Sequence, residues 1–145
     1  MTDNVIVLAG GLSHERDVSL RSGRRVAQAL RETGHTVLEA DVNASLLETI
    51  ASVEDPVIFP VLHGTFGEDG TIQGLFEIQN CAYVGAGVLG SSVAMDKAVC
   101  KHVMESIHIP VLEYAVFTRS EIKNNLAQII EEAEKVAPYP LFVKP

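Results

Sequence analysis

A carboxylate follows a pair of glycines in the first loop that the sequence predicts. Gly10 and Gly11 end an apolar run over residues 5–9, and Glu15 stands just before the apolar residues take up helical spacing. Paired glycines allow a tight turn and the close approach of a ligand to the backbone, and the helix dipole favours a negative charge at a helix N-terminus. Glu15 therefore predicts either a binding group for a cation such as an ammonium, or a simple stabiliser of the helix start.

The second candidate loop begins at His63 and contains three glycines between residues 63 and 70. His63 occupies the end of a predicted strand, which is where α/β proteins assemble their binding sites, although a histidine buried in the core fits the same position. Asp69 precedes the next predicted helix, and we interpret it as a helix cap. Glu68 fits either a cap or a site residue.

Three lysines form the third group of candidates. Lys97 and Lys101 lie four residues apart near the start of a predicted helix, and Lys144 ends the last predicted strand. Lysines from separate elements commonly hold nucleotide phosphates as point charges. Taken alone, such lysines are more often surface residues.

The segment 85–90 matches a dinucleotide-binding pattern in form, with glycines at 85, 87 and 90. The apolar run before it is too short for a first strand, and the acidic residue that the pattern requires about 20 positions later is missing. We interpret these glycines as a turn linking two domains. A nucleotide-linked dehydrogenase is accordingly the weakest functional hypothesis.

Short apolar runs alternate with longer stretches of helical periodicity. This alternation predicts an α/β fold with an open parallel sheet and helices on both faces. Strands are expected over residues 5–9, 35–41, 57–62, 111–117 and 140–144. Helices are expected from Val18 to a stop at Gly34, over 71–80, from Ser92 to Pro110, and after a capping box at Thr118 and Glu121.

Composition limits the class of protein. Hydrophobic residues make up 47% of the chain and charged residues 21%, which indicates a globular protein. A net charge of −8 disfavours a nucleic-acid binder. The first apolar run is too short for a signal sequence or a membrane span. The separated Cys81 and Cys100 favour buried free thiols and a cytoplasmic location.

Taken together, these segments resemble the D-alanine–D-alanine ligases of the ATP-grasp superfamily. The stretches that carry the resemblance are Gly10-Gly11-x-Ser13-x-Glu15-Arg16-x-Val18-Ser19-Leu20-x-Ser22-Gly23, His63-Gly64-x-x-Gly67-Glu68-Asp69-Gly70-x-Ile72-Gln73-Gly74, Ala94-Met95-Asp96-Lys97-x-x-x-Lys101 and Phe142-Val143-Lys144-Pro145. His108 stands where the family usually has glycine.

The resemblance implies a division of the chain and a role for each candidate residue. Residues 1–95 would form the Rossmann-like pre-ATP-grasp domain that binds substrate, and residues 96–145 the incomplete start, a first βαβ part, of the ATP-grasp domain. Glu15 matches the carboxylate that holds the ammonium of the first D-alanine, with Val18 beside it and His63 nearby. Lys97 and Lys144 match the lysines that hold the nucleotide phosphates.

The implied parent enzyme joins two D-alanines for peptidoglycan through an acyl phosphate. It uses ATP and Mg²⁺, with the metal ligands expected beyond residue 145, and forms a homodimer through its N-terminal domain. We expect these 145 residues to be inactive alone. A non-catalytic α/β folding or dimerisation module is the alternative.

Overall fold

A computed structural model of the chain describes residues 2–144. The described residues form two compact units, one ending at Lys97 and the other beginning at Ala98. The elements, in chain order, are β1 (Asn4–Leu8), α1 (Arg16–Glu32), β2 (Thr36–Ala40), α2 (Leu46–Ala51), β3 (Val57–Pro60), α3 (Thr71–Ile78), β4 (Ala82–Tyr83), α4 (Val88–Met95), α5 (Lys97–Ser106), α6 (Arg119–Asn124) and α7 (Leu126–Glu134). Of these, α2 and β4 were not predicted. The assignment of residues 1–95 and 96–145 to two functional domains stays a prediction.

The first unit is built on a four-stranded sheet in the order β2-β1-β3-β4. Every pairing in it is parallel, and β1 is paired on both sides. Ile6, for example, lies opposite Leu38 on β2 and opposite Ile58 on β3. The predicted open parallel sheet is confirmed.

Helices cover both faces of this sheet. Successive strand residues point to opposite faces, so β1 contributes to two separate cores. One core joins Ile6 and Leu8 to α2, β3 and α3, and its buried members are Ile6, Leu8, Leu46, Ile50, Ile58, Leu62, Ile72 and Phe76. The other joins Val5 and Val7 to Ala27 of α1. The prediction of helices on both faces is therefore also confirmed.

The contact line of α1 differs from the predicted one by one residue. The expected stripe was Val18, Ser22, Val26 and Leu30, whereas the buried residues are Ser19, Gly23 and Ala27. The small residues lie at the line of contact because the helix axis comes very close to β1. A Cβ atom added at Gly23 would lie 2.4 Å from Cβ of Ala9, so larger side chains are displaced to the flanks.

The end of α1 has the predicted glycine stop. Gly34 adopts φ +94°, the left-handed region that glycine enters at little cost. The N–H of His35 donates to the carbonyl of Leu30 at 3.1 Å, and the N–H of Gly34 donates to that of Arg31 at 3.0 Å. This pair of bonds is the Schellman arrangement, and it turns the chain directly into β2.

Two predicted helices are each divided into two. The one expected from Ser92 is interrupted at Asp96, which has an extended backbone (φ −82°, ψ 99°), and the one after Thr118 is interrupted at Asn125 (φ −139°, ψ 43°). Asp and Asn side chains compete for backbone hydrogen bonds and favour helix ends over helix interiors. The capping box at Thr118 and Glu121 is confirmed, with both reciprocal bonds present.

Two loop predictions have different outcomes. The glycines at 85 and 87 lie between β4 and α4, inside the first unit, rather than between two units. His108 follows α5 with φ +60°, the conformation that the glycine usual at this position of the family adopts without strain. Cys81 and Cys100 are free thiols, as predicted, but they are only half-buried.

The strands predicted over residues 111–117 and 140–144 are not formed, so this part of the prediction is wrong. The described part of the second unit, residues 98–144, contains helices and irregular segments, and each of its side chains is at least partly exposed. A strand needs a partner for its backbone groups, and two-stranded pieces are marginal in water. Pro145, the last residue of the Phe142 motif, lies outside the described residues.

The close approach of α1 to β1 can be tested with two glycine variants. Gly23→Ala should lower the free energy of unfolding by about 1–3 kcal/mol, because its methyl group overlaps Ala9. Gly74→Ala, in α3, is the control: its added Cβ meets nothing within 4 Å, and it should raise stability by roughly 0.5–1 kcal/mol. Chemical denaturation of the chain measures both. Equal effects of the two substitutions would contradict the close-contact explanation.

Candidate functional site

The candidate site lies where the connections from the sheet change direction. The chain leaves β1 towards β2 on one side, and then returns past β1 to place β3 on the other. In open α/β sheets ligands bind outside the carboxyl ends of the strands at this switch point. The loops that follow β1 and β3 flank it, and they are the loops that carry Glu15 and His63.

Glu15 is the N-cap residue of α1, with φ −93° and ψ 13°. Its side chain makes no capping hydrogen bond, and its N–H is satisfied instead by the hydroxyl of Ser13 at 3.2 Å. The carboxylate reaches across to the second loop. A Cβ atom built at Gly64 would lie 3.3 Å from Oε2 of Glu15. The structure thus brings the two loops together and leaves the Glu15 carboxylate exposed above Gly64.

His63 is half-buried, and its Nε2 atom is buried without a hydrogen-bond partner among the described residues. Buried polar atoms in folded proteins are almost always paired, so this atom marks a place that a water molecule or a ligand would satisfy. His63 also lines a cavity of about 10 Å³, together with glycines of both loops and Val42. That volume holds about one water molecule.

The acidic residues of the second loop maintain its shape. Glu68 Oε2 accepts the N–H of Gly64 at 2.7 Å, and Asp69 accepts the N–H groups of Phe66 at 2.8 Å and Thr71 at 3.0 Å. Burial raises the pKa of the Asp69 carboxyl, but the hydrogen bonds from Phe66 and Thr71 outweigh it, and the net pKa lies below the ordinary value. Asp69 is structural, as predicted, and Glu68 has a structural role in the loop as well.

Ser19 ties the base of the first loop to the end of β3. Its fully buried hydroxyl accepts the N–H of Gly10 at 2.8 Å and donates to the carbonyl of Val61 at 2.5 Å. No role of Ser19 was predicted from the sequence, although a polar residue on the buried side of a helix indicates that its side chain is hydrogen-bonded. The loops after β1 and β3 are therefore both hydrogen-bonded to the same atom, Oγ of Ser19.

Arg16 and Asp41 form a second anchor that the sequence analysis missed. The guanidinium of Arg16 pairs with both carboxylate oxygens of Asp41, at 2.5 and 3.1 Å, and donates to the carbonyl of Gly11 at 2.9 Å. Asp41 in turn accepts the N–H groups of Gly11 at 2.8 Å and Val42 at 2.7 Å. The loop after β2 is thereby joined to the loop after β1. Only the tertiary pairing of the strands makes this contact visible.

The pairing with Arg16 holds the pKa of the Asp41 carboxyl below its ordinary value, and the hydrogen bonds from Gly11 and Val42 act in the same direction. A carboxyl whose pKa is lower in the folded than in the unfolded chain stabilises the fold fully above the unfolded value. That contribution is lost as the pH falls through the folded value. The anchor is therefore intact at neutral pH and is lost only as the pH falls below the ordinary pKa of an aspartate.

The remaining predicted site residues lie in three places. Val18 is exposed in the first turn of α1, three residues after Glu15 and thus on a neighbouring part of the helix surface. Lys97 is exposed, and its Nζ lies 3.4 Å from the carbonyl of Met95. Lys144 is exposed in an irregular segment of the second unit. Lys101 is engaged within that unit, donating to the carbonyl of Leu112 at 2.8 Å.

Among residues 2–144, no group of three or more His, Cys, Asp or Glu side chains is arranged to hold a metal ion. Over the same residues, no helix has the length and apolar character that crossing a membrane requires.

Comparison with known proteins relates the chain to one family. A family model described as the N-terminus of D-ala D-ala ligase matches residues 38–86. The D-alanine–D-alanine ligase of Pelagibacter ubique is 39% identical over the whole chain, which covers 47% of that relative. The ligase of Anaplasma centrale is 38% identical over 98% of the chain, which covers 65% of it. The chain thus spans roughly half the length of the curated relatives it matches.

A solved structure agrees with these relatives. The crystal structure of the D-alanine–D-alanine ligase from Bacillus anthracis superposes with a TM-score of 0.73 over 92% of this chain and 42% of that protein, at 27% identity. Together with the fold, these matches show that the chain is similar to the D-alanine–D-alanine ligases. The matching family model describes the N-terminus of these enzymes, and the chain resembles that portion of its relatives.

The Ser19 anchor predicts a stability difference between two serines of α1. Ser19→Ala leaves the buried N–H of Gly10 without an acceptor and should cost about 1–3 kcal/mol in the free energy of unfolding. Ser22→Ala, on the half-buried flank of the same helix, should change it by less than about 0.5 kcal/mol. Urea denaturation followed by circular dichroism compares them. A Ser19→Ala variant as stable as the Ser22→Ala variant would rule out the anchoring role.

Proposed function

We propose that this chain is the N-terminal, substrate-binding portion of a D-alanine–D-alanine ligase. The proposed enzyme transfers the γ-phosphoryl group of ATP to the carboxylate of one D-alanine, which releases ADP and forms an acyl phosphate. The amine of a second D-alanine attacks the acyl carbon, releasing phosphate and forming the dipeptide for peptidoglycan. The observation that carries the proposal is the exposed Glu15 carboxylate, held over Gly64 beside His63 at the switch point of the sheet.

Glu15 supplies the charge that an amino-acid substrate needs. A carboxylate that makes no capping bond, on a loop fixed by Ser19 and Arg16, is a preorganised acceptor for an ammonium group. Val18 offers an apolar surface beside it. His63 has an unpartnered ring nitrogen for a polar atom of the same substrate. A small zwitterion such as D-alanine matches this combination of charge, apolar contact and hydrogen-bonding group.

Lys97 and Lys144 are proposed to meet the phosphates of ATP. Phosphoryl transfer depends mainly on positioning and on charge stabilisation, which lysines supply as point charges. Mg²⁺, where the enzyme binds it, neutralises phosphate charge. The described residues provide no acidic cluster for the ion. We therefore assign the metal ligands to other parts of the enzyme.

The proposed setting is a cytoplasmic homodimer, with D-alanine and ATP as its small-molecule partners and with dimer contacts in the N-terminal domain. A second candidate function is a non-catalytic α/β module that only folds and associates. It is favoured by one observation: all the buried core residues of the described chain lie in the first unit. Specific binding of D-alanine at Glu15 separates the two candidates, since a module without a substrate has no need of it.

Replacing Glu15 tests the substrate site. In the complete ligase, Glu15→Gln removes a charge-assisted contact worth roughly 1.5–3 kcal/mol, so the Michaelis constant for the first D-alanine should rise on the order of 10- to 150-fold. The constant for ATP should stay nearly the same. Glu48→Gln, an exposed change on α2, is the matched control. An unchanged D-alanine constant in Glu15→Gln would reduce Glu15 to a residue of the helix start.

For the two lysines we expect the opposite pattern of changes in the Michaelis constants. Lys97→Ala and Lys144→Ala should each raise the Michaelis constant for ATP more than that for D-alanine, because each removes a positive charge from phosphate. Lys123→Ala, at an exposed position on α6, controls for the loss of surface charge. Direct titration with a fluorescent ATP analogue gives the same comparison without turnover. Unaltered nucleotide affinity in both variants would show that the phosphate assignment is mistaken.

A further inference from the structure

Arg16 presents an electrostatic difficulty for the proposed site. It follows Glu15 directly in the chain, and its side chain is 46% exposed. Its guanidinium is bonded to the carbonyl of Gly11, which lines the same cavity as His63. An unpaired guanidinium on this loop would repel the ammonium group that Glu15 is proposed to bind. It would also offset the charge of the Glu15 carboxylate itself.

Asp41 removes this difficulty by direct pairing. Both of its oxygens are bonded to the Arg16 guanidinium, and its own side chain is 26% exposed. The same carboxylate accepts the N–H groups of Gly11 and Val42, which fix its position. Among the described residues, no hydrogen bond or ion pair engages the Glu15 carboxylate.

We propose that Asp41 is a specificity-determining positioning residue: by neutralising Arg16, it leaves Glu15 as the uncompensated charge at the mouth of the site. The pair thereby selects for a substrate with a cationic group, although neither member touches that substrate. The inference rests on the proposed function, because it presumes an ammonium group at Glu15. It adds the loop after β2 to the two loops already assigned to the site.

Charge and geometry make different predictions for substitutions in this pair. Asn at position 41 keeps a carbonyl oxygen for the N–H groups of Gly11 and Val42 but frees the charge of Arg16. Gln at position 16 does the reverse, leaving the charge of Asp41 unpaired. If the pair acts through charge, the two single variants shift ammonium binding in opposite directions. If it acts only as a clamp on the loop, both weaken binding.

The experiment measures the Michaelis constant for the first D-alanine and kcat in the complete ligase, at low and high salt. Asp41→Asn should raise that constant about 3- to 10-fold, as expected for a unit charge several ångströms away in a partly solvated site. Arg16→Gln should lower it about 2- to 5-fold on the same basis. The double variant Arg16→Gln with Asp41→Asn should return it to within about twofold of the parent value, because neutrality is restored. The effects of both single variants should shrink as salt screens the charges.

The matched control is the other arginine–carboxylate pair of α1. Nη1 of Arg31 lies 2.9 Å from Oε1 of Glu39. Both side chains are exposed, and both lie outside the two loops. Glu39→Gln should therefore leave the Michaelis constant for D-alanine unchanged. It measures what the loss of an ordinary surface ion pair does to this helix.

The outcomes separate this inference from the function on which it rests. If Glu15→Gln raises the D-alanine constant but both pair variants weaken binding independently of salt, the pair is only a clamp and the inference is overturned. If Glu15→Gln has no effect, the proposed ammonium site itself fails. Should Asp41→Asn not fold, the sign of the Arg16→Gln effect decides, because a clamp cannot improve binding when it is broken.

Discussion

The pairing of β1 on both sides is the constraint on which the rest of the first unit depends. Its backbone groups bond to β2 and β3, and its side chains from Ile6 to Leu8 are completely buried. A strand in this position must be apolar on both faces, and its carboxyl end must open between two neighbouring loops. The position of the site follows from that arrangement before any catalytic residue is considered.

Hydrogen bonds within the site hold the backbone of the loops and leave the two central side chains available. Ser19 joins the first loop to β3, Asp41 joins it to the loop after β2, and Glu68 closes the second loop on itself. Each of these side chains satisfies polar atoms that would be costly to bury without a partner, or that would compete with Glu15 and His63 for a ligand. The side chains of Glu15 and His63 stand apart from this network, as the substrate-binding role proposed for them requires.

The second unit shows what the same kind of sequence does without a sheet. Residues 111–117 and 140–144 have strand-like composition, and the helix residues Ile122, Leu126 and Ile130 all remain more than 40% exposed. Helices need only local hydrogen bonds, so α5, α6 and α7 form in the described chain. Strands need partners and a covered face, so the two apolar segments stay irregular. Lys144, at the end of one of them, therefore lies exposed in an irregular segment instead of at the end of a strand.

The approximate positions of β1, α1 and β3 could be predicted from sequence, and so could the stop at Gly34 and the capping box at Thr118. Each depends on neighbours within a few residues. The motifs around Glu15 and His63 likewise located both loops of the candidate site. Three features could not be predicted in this way. They are the contact line of α1, the pairing of Arg16 with Asp41, and the two hydrogen bonds of the Ser19 hydroxyl. They depend on how far a helix lies from a strand, and on which loops meet at an edge of the sheet. Those distances arise only when separate segments pack together. Arg16 and Asp41 are 25 residues apart in the chain, and Ser19 and Val61 are 42 residues apart.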